Sequence, residues 1–186
     1  MPEIKFNPKI KKIDAARRQL DTSIELWFFQ KDAVSIHTLA CSAYQILHDI
    51  NQHRKGPELI FDNIAIKDEF RLLAKSYLKK TYNFFKHAEK DPNPESTIDF
   101  NPSSTEGFII FSILGLEYLG IKPNSIRSAF IIYQCFHNPE LFKKKGLHSI
   151  LKDIPSNQRR EIMNLKRCQF FENYTSLQKA AGIYRP

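Results

Sequence analysis

The chain has 186 residues, of which 42% are hydrophobic, 26% charged and 12% aromatic, and it carries a formal net charge of +8. This composition excludes intrinsic disorder, a collagen-like chain and a disulfide-rich mini-protein, and the length suits one folded domain with a full core. Three widely spaced cysteines, Cys41, Cys135 and Cys168, form no Cys-x-x-Cys pair, which points away from a disulfide framework or zinc knuckle and towards a reducing cytosol.

The opening residues, MPEIKFNPKIKKID, lack the apolar centre of a signal peptide, so a cytoplasmic location is expected. Ile13, Leu20, Ile24, Trp27 and Phe28 predict a first helix over Lys11 to Gln30. Ile36, Leu39, Ala40, Ala43, Ile46, Leu47 and Ile50 recur at three- and four-residue steps and predict a second over Asp32 to Arg54, with Asp32 as N-cap and Lys55-Gly56-Pro57 as its stop. The cleanest amphipathic pattern follows from Lys67 to Lys90, with Phe70, Leu73, Ala74, Tyr77, Thr81, Phe84, Phe85 and Ala88 on the buried face.

Prolines and Asx residues make 91–103 a loop. Ser103 and Glu106 then have the spacing of a capping box, opening a strongly apolar, central helix that runs to Leu119 and closes at Gly120. Its greasiest run, Phe108 to Leu119, is interrupted by Glu117 and too short to span a bilayer, so no membrane partner is expected. Pro123 to His137 reads as another helix, and a last long, basic one is predicted over Ser156 to Ala180, with Ile162, Leu165, Cys168, Phe171 and Tyr174 as a narrow apolar stripe. The expected fold is all-α: one domain over 1–186, with an antiparallel four- or five-helix bundle over 11–138 and a basic C-terminal helical extension over 139–186.

The charge excess sits at the two ends. Residues 1–18 hold six basic and two acidic side chains, and 143–167 hold eight basic and two acidic, whereas 19–142 are slightly acidic. Such ends attract polyanions, RNA among them, or simply form a solvated face. Lys79, Lys80, Arg159, Arg160, Lys166 and Arg167 are the candidate RNA-binding cations.

The stretch Tyr82-Asn83-Phe84-Phe85-Lys86-His87 carries the candidate chemistry. Asn83 and His87 stand one helical turn apart, at the rim of a phenylalanine-bearing face. This arrangement resembles the signature of the HEPN superfamily of helical nucleotide-binding and RNA-processing proteins, in which an Arg, a polar residue and a His follow one another near the end of a long bundle helix. Asn83 and His87 fall on the polar and His positions, and Tyr82 stands where the motif has Arg.

The resemblance spans about 11–138 and implies metal-independent RNA cleavage at a site shared across a homodimer. It gives catalytic roles to His87 and Asn83, with Lys86 as a nearby cation. A His of near-neutral pKa moves a proton, and a cation stabilises developing phosphate charge. Tyr82 supplies no cation, so the resemblance implies an RNA-binding protein with a weak or degenerate ribonuclease site, of a defence or toxin system. The competing reading is a non-enzymatic, homodimeric interaction module.

His37, Cys41, Tyr44 and His48 share one stripe of the second helix, where a His–Cys pair is a formal zinc option, but a satisfied core histidine is the better reading. No glycine-rich phosphate loop, Gly-x-Ser-x-Gly elbow or helical carboxylate pair is present. No cofactor is expected, and no metal.

Overall fold

The computed structural model describes residues 9–57, 59, 80–89, 91–142, 151–152 and 154–186, and all regular structure among them is helical. Helices α1 (Lys12–Phe28) and α2 (Ala33–His53) are followed by α3, described over residues 80–86. Then come α4 (Ser104–Tyr118), α5 (Ser125–His137), a 3₁₀ turn (Pro139–Leu141), α6 (Ser156–Met163) and α7 (Arg167–Ala180). Among the described residues no helix is long and apolar enough to cross a membrane. Most of the expected Lys67–Lys90 helix lies outside the described residues, and its described end stops at Lys86, four residues early.

Two helix starts, those of α2 and α5, follow short polar side chains. The Asp32 carboxylate accepts the Ser35 N–H at 2.7 Å, and Asn124 Oδ1 accepts the Arg127 N–H at 2.9 Å. The expected Ser103–Glu106 capping box does not form. Ser103 is already helical and its side chain makes no cap; Asn101 does that work, its Oδ1 accepting the Ser103 N–H at 3.0 Å and its carbonyl accepting the Ser104 hydroxyl at 2.7 Å. Glu106 instead turns inward, where Trp27 and Gln134 donate to it.

Four helix ends share one design. Gln30, Lys55, Gly120 and Gly182 occupy the left-handed region, with φ of 50°, 54°, 78° and 68°. The N–H groups of the next residues, Lys31, Gly56, Ile121 and Ile183, close back on the carbonyls of Leu26, Asn51, Leu116 and Gln178. These are Schellman closures, and at Gln30 and Lys55 they hold a non-glycine residue in a conformation that costs about 1–2 kcal/mol.

The helix predicted over Ser156 to Ala180 is two helices. Asn164 caps α6, and Lys166 is extended at φ −64°, ψ 153°. Gln169 Oε1 reaches back to accept the Lys166 N–H at 3.1 Å and so opens α7. The break lets α7 bury both Phe170 and Phe171, which are 4% and 7% exposed, whereas no residue of α6 is buried.

The four-residue link between α1 and α2 makes them a helical hairpin. On its other side α2 meets α4, where Gly115 faces Leu47. Helix α5 packs on α1 and α7. At the centre Phe28 is fully buried. Its ring stacks on Phe171 at 4.6 Å and meets Trp27, Tyr133 and Phe130 edge-on at 5.1, 5.8 and 6.4 Å. Burying such a ring contributes roughly 1.5–3 kcal/mol, so α7 is part of the core and not an appended arm. The tail is tied as well: the Ser125 N–H donates to the Arg185 carbonyl at 2.8 Å, and the Arg185 N–H donates to the Ser125 hydroxyl at 2.9 Å.

Candidate functional site

The described end of α3 presents Lys80, Asn83, Phe84 and His87 at steps of three, one and three, which is one face of a helix. These four side chains, with Glu89 and Asp91 from the segment that follows, line a groove of about 590 Å³. The His87 N–H closes the last turn on the Asn83 carbonyl at 2.9 Å, and the residue itself stands just past the helix end. Its Nδ1 lies 3.4 Å from a Glu89 carboxylate oxygen. If His87 carries its proton on Nδ1, this contact orients the ring and leaves Nε2 as the acceptor.

Two placements differ from the sequence reading. Phe84 and Ala88 were expected on the buried face, yet Phe84 lines the groove and Ala88 is exposed. Phe85 does turn inward, meeting Phe100 at 5.1 Å and the fully buried His37 at 5.8 Å. The early end of α3 accounts for Ala88, since beyond Lys86 the helical register no longer carries it inward.

Tyr82 and Lys86, one turn apart, occupy the neighbouring face. The Lys86 ammonium donates to the Tyr82 hydroxyl at 3.0 Å and lies 5.1 Å from that ring's centre. The same hydroxyl is 3.5 Å from Ser42 Oγ on α2. Tyr82 is therefore directed towards α2. Lys86 is held by Tyr82 and does not line the groove; Lys80 does. Among the described residues Glu89 and Asp91 put two carboxylates on the groove beside Lys80, a feature the sequence reading missed.

The candidate RNA-binding cations have different fates. Arg159 donates to the Ile154 and Leu151 carbonyls at 2.7 and 2.6 Å, holding the turn before α6. Arg167 lies 4.0 Å over the Trp27 ring and donates to Glu106 at 3.4 Å. Arg160 and Lys166 are exposed. Lys79 lies outside the described residues, as do Lys143, Lys144 and Lys145.

The Glu106 carboxylate gathers three elements. It accepts the Trp27 indole N–H at 3.2 Å, the Gln134 amide at 3.0 Å and the Arg167 guanidinium. Nearby, His37 is fully buried, with Nδ1 2.9 Å from Thr105 Oγ1 and Nε2 3.4 Å from Cys41 Sγ. Burial pushes its pKa down to about 4 and drives the Cys41 thiol up, so both are neutral at ordinary pH. His48 belongs to the same stripe but sits beside Asp49 at 3.2 Å. Among the described residues no group of three or more His, Cys, Asp or Glu side chains is placed to hold a metal ion.

No protein-family model, curated protein or solved structure matches the chain.

Proposed function

We propose that the protein is an HEPN-like RNA-binding protein with a degenerate ribonuclease site, acting in the cytoplasm as a homodimer. The observation that carries this reading is the convergence of Lys80, Asn83, Phe84 and His87 on one groove. An aromatic face takes an unstacked base, a neighbouring amide donates to and accepts from base edges, and the carboxylates accept from base N–H groups, as in recognition of single-stranded RNA. Lys80 takes a flanking phosphate, and exposed Arg160 and Lys166 add counterion-releasing contacts.

The same geometry supports weak cleavage. His87 can move a proton, but Tyr82 offers no charge and is turned towards Ser42, while Glu89 and Asp91 oppose the negative charge that develops on a phosphate in the transition state.

The test is binding of labelled single-stranded RNA across a salt series. Phe84→Ala should weaken binding by about 1–3 kcal/mol for the lost stacking, and Lys80→Glu should flatten the salt slope by about one unit. Tyr82→Arg, checked for folding by circular dichroism, should raise EDTA-resistant cleavage, and His87→Ala in that background should abolish it. Unchanged RNA affinity in folded Phe84→Ala and Lys80→Glu proteins would sink the reading. Light scattering at micromolar concentration should show a dimer.

A second reading has its own observation. Ile132, Phe136, Ile162, Leu165, Phe170 and Leu177 are among the residues lining an apolar groove of about 440 Å³, and Leu177 is 71% exposed. Such a surface suits a protein partner and an interaction module. Loss of dimerisation in Leu177→Asp with RNA binding retained would place the dimer contact on that groove; absence of RNA binding in the parent would favour the module outright.

A further inference from the structure

The α3 groove carries opposite charge along its length. Lys80 opens the described part of the helix, and at a rise of 1.5 Å per residue it lies about 9 Å along the axis from the last helical residue, Lys86. Glu89 and Asp91 line the groove from beyond that end, where the carbonyl terminus of α3 adds partial negative charge. Asn83 and Phe84 come between the two along the helix and line the same groove. A phosphate is drawn to the lysine and repelled by the acidic end. What the acidic end accepts is a group rich in N–H donors, because an ionised carboxylate is an acceptor only.

The two carboxylates are not equivalent. Glu89 has one oxygen 3.4 Å from His87 Nδ1 and is partly committed to that ring. Asp91 is exposed on the groove, and its backbone N–H turns back to the Ala88 carbonyl at 3.3 Å, so its side chain offers both oxygens to a ligand. Among the four bases of RNA, guanine alone sets two N–H donors side by side on its Watson–Crick edge, at N1 and N2. Adenine and cytosine each present one amino donor beside a ring-nitrogen acceptor, and uracil presents one N–H between two carbonyls. Each of these three brings an acceptor up against the carboxylate, which guanine does not.

We infer that the groove selects guanine in single-stranded RNA, an assignment that rests on the RNA-binding reading above. Phe84 carries the face of the base, Asp91 accepts N1–H and N2–H in a parallel fork, and Lys80 takes a flanking phosphate. The carboxylates that oppose cleavage thus serve recognition.

The experiment uses the full chain and fluorescence anisotropy with labelled oligouridines that carry one central guanosine, inosine, adenosine or cytidine, beside the all-uridine parent. Guanosine should bind at least about fivefold tighter than each of the others. Inosine keeps N1–H and lacks the N2 amino group, so it isolates the second donor. Adenosine isolates stacking, which favours both purines alike. Asp91→Asn, at an exposed position and checked for folding by circular dichroism, should bring guanosine level with inosine and leave the affinity for oligouridine unreduced. The assignment is overturned if inosine or adenosine matches guanosine in the parent protein, or if folded Asp91→Asn keeps the full preference. Equal binding of all five oligomers overturns it while the RNA-binding reading stands, whereas binding of none overturns both.

Discussion

The polar residues of this protein fall into two regions that are built in opposite ways. Around Glu106 and Arg127 most side-chain bonds join distant stretches of chain: Glu106 to Trp27, Gln134 and Arg167, and Arg127 to Asp21. Around the α3 groove the described bonds are mostly local, His87 with Glu89 and Lys86 with Tyr82, and only the 3.5 Å approach of Tyr82 to Ser42 reaches another helix. The interior network fixes how the helices sit. The rim residues carry little of that task, which leaves them available for a ligand.

The largest effect expected from breaking this contrast is in the interior. Phe28→Ala removes the ring around which α1, α5 and α7 meet, and should lower stability by about 3–5 kcal/mol in urea unfolding. Acid should act on the interior next. His37 titrates near 4 when folded and near 6.5 when unfolded, so the unfolded chain takes up its proton first. Its contribution is therefore complete above pH 6.5, falls as pH drops towards 4, and totals about 3 kcal/mol.

Asp21 runs the other way. Desolvation raises its pKa above 3.8, so the folded state gains relative to the unfolded one as this carboxyl protonates, which partly offsets the loss at the acid end. Unfolding midpoints measured from pH 8 to pH 4 should decline, and a flat profile would remove His37 from the account.

Glu106→Ala comes third, at about 2 kcal/mol for the indole, amide and guanidinium left without their acceptor. The smallest change sharpens the contrast: Lys80→Ala and Asn83→Ala should each alter stability by less than about 0.5 kcal/mol while lowering RNA affinity. A rim substitution that unfolds the protein would erase the distinction between the two regions.

Periodicity made the helices readable, because Ile36 through Ile50 and Ile13 through Phe28 repeat the spacing of a single buried face. Asp32 was readable as a cap for the same local reason. The Ser103–Glu106 spacing misled because the better partners for Glu106 lie 79 and 28 residues away, and no local pattern encodes them. The break at Asn164–Lys166 was hidden too, since Gln169 caps α7 from inside an apparently continuous amphipathic stripe. At the groove the one-turn spacing of Asn83 and His87 was visible in sequence, but Phe84 was read as buried and the orientation of Tyr82 was not visible. That depends on Ser42, forty residues earlier, and on where α3 stops.

Trp27 is the only tryptophan in the chain, and it lies under Arg167 with its indole N–H on Glu106. The molecule therefore carries a single optical reporter at the junction of α1, α4 and α7. Detachment of α7 would wet the indole and red-shift its emission while the helical far-ultraviolet signal persisted. Non-coincident melting curves from the two signals would reveal a loosened C-terminal helix before the rest of the fold gives way.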